Sequence, residues 1–165
     1  MTRLFVAIWP PDDLLERLAE IERPKDPGVK WLPPENLHIT LRFLGDADED
    51  DVIDRLDDVL LPASTAIVGP AFDLRAERSI MLPVAGVDDL AAVVEQAVRG
   101  LGTANERRRF VGHMTMARLR RQARPERSVG RLFAAKFEVR DVALVASTLA
   151  DTGSIYETVR TWPTR

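Results

Sequence analysis

His38 and His113 are the only histidines in the chain, and each opens the same pattern, His38-Ile39-Thr40-Leu41 and His113-Met114-Thr115-Met116. Histidine is the side chain whose ordinary pKa lets it give or take a proton near neutrality. Two of them facing one phosphorus permit acid and base catalysis together: one deprotonates a water or hydroxyl nucleophile while the other protonates the leaving oxygen. The hydroxyls of Thr40 and Thr115 can hold nonbridging phosphate oxygens where negative charge develops. The reaction class this set suits is in-line cleavage of a phosphodiester, or its reversal, and it requires no metal.

Such chemistry needs strands to position it. Successive side chains of a strand alternate faces, so His38, Thr40 and Arg42 share one face while Ile39, Leu41 and Phe43 anchor the other. The same arithmetic sets His113 and Thr115 opposite Met114 and Met116. Other sites fit less well. Zinc takes three or four protein ligands, and the chain has no cysteine and no third histidine. A serine triad lacks its Gly-x-Ser-x-Gly elbow, and Gly-rich Rossmann and P-loop signatures are missing. The plain alternative leaves both histidines as ordinary strand residues, with threonines present for their β-propensity.

A chain of 165 residues, 45% hydrophobic and 30% charged, suits one globular domain or two intimate lobes. No apolar run approaches the roughly 18 residues of a membrane span, and the N-terminal apolar stretch is too short for a signal peptide. A soluble, cytoplasmic monomer without a membrane partner is therefore expected. The lack of cysteine excludes disulfides and thiolate nucleophiles. A net charge of −3 conceals an uneven distribution. Residues 46–58 are dense in acid, whereas 99–131 contain Arg107, Arg108, Arg109, Arg118, Arg120, Arg121, Arg124 and Arg127. That basic stretch is either a solvated face or a footprint for a phosphate backbone.

Along the chain, strands are expected at 3–8, 29–32, 37–44, 65–74, 79–84, 110–119, 137–145 and 156–161. Helices are expected from Asp12, over 48–61, over 90–98 and from Pro125 through Ala135, the last with Val129, Leu132 and Phe133 inward. The order strand, helix, turn and His-x-Thr strand occurs twice, a sign of internal duplication. Hairpin-like spacings favour α+β over a doubly wound fold.

The paired motifs resemble the two-histidine phosphoesterase superfamily. The residues around them resemble its RNA 2′,3′-cyclic phosphodiesterase branch, also called the 2′-5′ RNA ligase or LigT-like family. Residues 3–8, Arg-Leu-Phe-Val-Ala-Ile, are similar to that branch's opening strand, and residues 31–45, Trp-Leu-Pro-Pro-Glu-Asn-Leu-His-Ile-Thr-Leu-Arg-Phe-Leu-Gly, to its most distinctive block. Residues 113–118 resemble its second motif, and Ser147-Thr148-Leu149 with Gly153 and Tyr156-Glu157 its C-terminal signature. The resemblance implies one bilobal α+β domain over residues 1–165, with two antiparallel sheets and outer helices flanking a central cleft. One motif would lie in each lobe, around 38–41 and 113–116. It implies hydrolysis of a terminal 2′,3′-cyclic phosphate on RNA to a 2′-phosphate without metal or cofactor, and beside it a reversible 2′-5′ RNA ligase activity. His38 would be proton donor to the leaving O3′ and His113 the base activating water.

Two departures stand out. Gly112 occupies a position where the branch often has proline, which predicts a less rigid start to the second motif strand. Arg118 matches an arginine of the family's phosphate site, yet strict alternation from His113 turns it to the opposite face. A bulge after Thr115 would bring it back. Arg42 has the better parity beside Thr40. Phe5 and Trp9 are candidates for stacking on a base, with Phe5 also suited to the core. The alternatives are a nonenzymatic RNA-end or nucleotide-binding module, and a phosphodiesterase for small cyclic nucleotides.

Overall fold

The computed structural model of the protein describes residues 3–104 and 109–165. Arg107 and Arg108 of the basic stretch lie outside the described residues. The chain runs β1 (Arg3–Ile8), α1 (Asp12–Ala19), β2 (Val29–Trp31), β3 (Ile39–Gly45), α2 (Glu49–Asp57), β4 (Ser64–Val68), β5 (Asp73–Arg75), β6 (Ser79–Ala85), α3 (Asp88–Ala97), β7 (His113–Leu119), β8 (Ala135–Val139), β9 (Asp141–Ala150) and β10 (Gly153–Pro163). The fold is α+β, a curled antiparallel sheet backed by helices.

The main path of the sheet is β10-β9-β1-β3-β7-β6-β4-β8, with β2 added to β7 and β5 to β6. Its two four-stranded halves meet between β3 and β7, where a single register pair, Ile39 with Met114, joins them. Both side chains are fully buried. The helices cover one face. Leu14 and Leu18 of α1, Val52 and Leu56 of α2, and Leu90 and Val94 of α3 pack with Leu4, Val6, Ile8, Ile39, Met114 and Met116 into the main core. Each helix carries its apolar residues at helical spacing and acidic residues in its first turn, where the macrodipole favours them. The other face holds a small cluster of Phe5, Ala7, Ala143 and Val145, bordered by Trp9 and Tyr156. Among the described residues no helix is long and apolar enough to cross a membrane.

Several expectations are corrected. The helix from Pro125 to Ala135 shrinks to a 3-10 turn, Pro125–Arg127. Gly130 adopts φ +86°, and the Gly130 and Phe133 amides donate to the carbonyls of Phe72 and Pro70 instead of along a helix. Phe133 is buried as expected, whereas Leu132 points outward, 85% exposed. The strand expected at 65–74 breaks at Gly69-Pro70, because Gly69, at φ +113°, lies against the Phe133 carbonyl with no room for a side chain. The strand expected at 137–145 divides at Arg140: β8 pairs with β4 at one end of the sheet, and β9 with β1 in the other half.

Candidate active site

β3 and β7 are antiparallel, and the pair Ile39 with Met114 fixes how the two motifs face each other. Carried one residue outward, this register sets His38 opposite Thr115 and Thr40 opposite His113. The histidines then lie on a diagonal across the seam, close enough that the charge of His113 acts on His38. Ile39, Met114 and Met116 point into the helix-covered core, so the histidines and threonines are turned to the open face.

Each imidazole is held in the same way. His38 Nδ1 donates to the carbonyl of Asn36 at 2.7 Å, and His113 Nδ1 to the carbonyl of Val111 at 2.8 Å. A carbonyl can only accept, so Nδ1 carries a proton in both rings and Nε2 is the nitrogen left for proton transfer. Around His38 stand Phe5 (ring centroids 4.8 Å apart), Tyr156 (5.3 Å) and Trp9 (5.8 Å). Tyr156 also meets Phe5 edge-on, and the Trp9 indole donates to Thr158 Oγ1 at 3.0 Å. Phe5 is 3% exposed and forms the floor beneath His38, whereas Trp9 keeps part of its surface open.

Burial pushes the pKa of His38 below its ordinary value, the bond to Asn36 opposes this, and the charges of Arg118 and His113 push the same way as burial. For His113 burial is again the largest cause; Val111 opposes it, and Arg75 and Arg118 add to it. In the open site the neutral form of both rings is favoured. An anion bound among them offsets the arginines and restores the first proton.

Arg118 therefore faces both histidines, and the register explains how. Met81 pairs with Thr115 but Ile80 with Ala117, so Met116 is an extra residue, a bulge that reverses the parity after it. Met116 and Ala117 are buried in succession and Arg118 emerges on the histidine side. In β3 a bulge acts in the opposite sense. Ala7 pairs with Thr40 and Val6 with Arg42, leaving Leu41 extra. Arg42 thereby falls opposite a core residue, near Ala91, Ala92 and Glu95 of α3, instead of directly beside Thr40. Phe43, expected to anchor the buried face, pairs with Phe5 and is 43% exposed. A further extra residue, Leu44, returns the strand to the core.

Two cavities lie at the site, one lined by His113 and the other by neighbours of His38. One of about 520 Å³ contains Asn36, Tyr156 and Arg118; another of about 470 Å³ contains Thr40, Phe43, Arg75, Arg109 and His113. The basic stretch is thus divided. Arg118 and Arg109 turn to the site, while Arg131 is bound to Glu22 and the Arg124 backbone to Asp26. Sequence reasoning missed Arg75 and gave Tyr156 no role. Signals for them were present in the charged 75–78 turn and in the chain's single tyrosine.

A family model described as LigT like Phosphoesterase matches residues 8–78. A protein of Methanocaldococcus jannaschii named RNA 2′,3′-cyclic phosphodiesterase is 30% identical, the alignment covering 97% of this chain and 99% of that one. An Archaeoglobus fulgidus protein of the same name is 31% identical over 96% of this chain and 98% of its own. Among solved structures, TT0787 of Thermus thermophilus superposes with a TM-score of 0.77 at 27% identity, over 99% of this chain and 98% of that one.

Proposed function

The chain belongs to the LigT-like phosphoesterase family, and from that premise we propose that it hydrolyses the 2′,3′-cyclic phosphate at the end of an RNA chain to a 2′-phosphate, without a metal, by acid–base catalysis between His38 and His113. The observation that carries this reading is the antiparallel meeting of the two motifs at Ile39 and Met114, with both Nδ1 atoms tied to backbone carbonyls. Burial and then the charges of Arg75 and Arg118 favour neutral His113, which supports our assignment of it as the base. It takes a proton from water at Nε2 as the water oxygen bonds to phosphorus. The P–O3′ bond breaks in line, and His38 Nε2 gives its proton to O3′. The products are a 2′-phosphate and a free 3′-hydroxyl, and the two rings exchange protons with solvent before the next turnover. Thr40 and Thr115, each opposite the other motif's histidine, hold the nonbridging oxygens together with Arg118. Arg42 is turned toward α3 and away from the open face, so its share is the smallest.

The test is turnover of an oligonucleotide ending in a 2′,3′-cyclic phosphate, in EDTA, with the product identified as 2′- or 3′-phosphate. His38→Ala and His113→Ala are each expected to lose about 10²–10⁴-fold in kcat while remaining folded by circular dichroism. Full activity in either variant, or loss of the wild-type rate in EDTA, rejects the mechanism. Binding without product in the wild type identifies a recognition module instead.

A further inference from the structure

The arginine beside the histidines is part of a longer row. Arg75 of β5 pairs with Ser79 of β6, Ser79 with Arg118 of β7, and Arg118 with Lys30 of β2. Residues directly paired in a ladder share a face, and neighbouring strands lie about 4.8 Å apart. Lys30 is thus the next position outward from Arg118 on the histidine face. Like charges directly opposite each other are unfavourable in a sheet. Among the described residues no carboxylate forms an ion pair with either cation, although Glu35 lines the same cavity.

An anion between the two cations would relieve this arrangement. Arg118 is the cation beside the histidines, and Lys30 lies one strand further out, on β2. The Lys30 ammonium instead reaches toward the hairpin between β9 and β10, where a Cβ on Gly153 would lie 3.7 Å from Nζ. Both line the 520 Å³ cavity, a size that suits part of a nucleotide chain. Its hairpin wall offers Leu149, 83% exposed, and Ile155, 57% exposed, as apolar surface for a base. Asn36 closes the side next to His38 and donates to the Ser154 carbonyl at 3.2 Å, fixing the hairpin over it.

Building on the cyclic phosphodiesterase reading, we propose that Lys30 holds the phosphodiester linking the terminal nucleotide to the rest of the RNA, and so sets the preference for a chain over a mononucleotide. A nucleoside 2′,3′-cyclic phosphate ends in a neutral 5′-hydroxyl there and offers the ammonium no charge to pair with.

The experiment compares kcat/KM for a cyclic-phosphate-ended oligonucleotide with that for a nucleoside 2′,3′-cyclic phosphate, in wild type, Lys30→Gln and Lys30→Arg. The ratio of the two is expected to fall on the order of tenfold in Lys30→Gln, as for loss of one charge-assisted hydrogen bond, and to recover in Lys30→Arg. The salt dependence of oligonucleotide binding should lose about 0.7 from its log–log slope. The thermal midpoint should hold or rise, since a like-charge pair is removed, and a fall would indicate a structural role. An unchanged ratio overturns the proposal. Failure of the parent reading looks different, because the wild type then turns over neither substrate. Lys30 is in that case judged on the binding of an oligonucleotide ending in a 2′-phosphate, where an unchanged salt slope rejects it.

Discussion

His38 and His113 share one backbone tether but differ in what else surrounds them. His38 is boxed by three aromatic rings, and His113 is approached by two guanidinium groups. Both rings titrate below the ordinary 6.5, chiefly through burial. The sign follows for a mechanism that needs one ring neutral and one protonated. In the free enzyme the acidic limb, where His113 becomes protonated, and the alkaline limb, where His38 loses its proton, both lie below 6.5. The profile of kcat/KM is therefore expected to be bell-shaped with its maximum on the acid side of the ordinary histidine value. Bound phosphate favours protonated His38, so the alkaline limb of kcat should lie at higher pH than that of kcat/KM. Steady-state rates from the acid to the alkaline side of neutrality measure both, and a maximum of kcat/KM above neutrality would contradict the assignment.

Among the elements, β7 illustrates what spacing in a sequence reveals and what it hides. Burial of Met114 and Met116 and exposure of His113 and Thr115 to the site were legible, because alternation holds wherever a strand is regular. The parity of Arg118 was not, because a bulge is chosen by the partner strand, here β6, and nothing in Thr115-Met116-Ala117 announces it. Phe43 failed for the same reason at Leu41. Gly112 is a third case. Its backbone is not left-handed, so the requirement is space: a Cβ there would lie 2.2 Å from the Val84 carbonyl oxygen, on the strand whose Val84 amide donates to the Gly112 carbonyl at 2.9 Å. The start of the second motif strand is therefore tightly seated instead of loose. Gly112→Ala is expected to cost about 1–3 kcal/mol of stability by overpacking. It should also lower kcat/KM at temperatures where the variant is folded, since residue 112 joins the carbonyl that holds His113 to His113 itself. Thermal unfolding combined with rates measured well below the transition tests this, and a stable, fully active variant would show that β6 and β7 can separate at no cost.

Over the whole molecule, the connection through Arg140 explains why the architecture was only partly legible. Residues 135–150 are almost continuously β-forming, and their division between opposite halves of the sheet depends on which edges β4 and β1 leave open, information held far away in the chain. The same long-range closure brings β3 and β7 together at one residue pair, so the spacing of the histidine diagonal rests on Ile39 against Met114. Charge is segregated around this seam. The first turn of α2 presents Glu49, Asp50 and Asp51 on the covered side, while Lys30, Arg75 and Arg118 collect on the open face, so a chain of net charge −3 still offers an anionic substrate a cationic cleft. If the seam sets the geometry, Ile39→Ala and Met114→Ala should each lose about 2–5 kcal/mol of stability. Their double mutant should then deviate from additivity by about 0.5–3 kcal/mol, because the two side chains meet across it. Chemical denaturation of the four proteins gives that coupling. Each single variant, assayed where it is fully folded, should also lose turnover, since the cavity left behind lets the two halves shift and the histidines leave in-line geometry. Additive energies accompanied by full activity would mean that the histidine spacing is set elsewhere, by the flanking pairs of β1 with β3 and of β6 with β7.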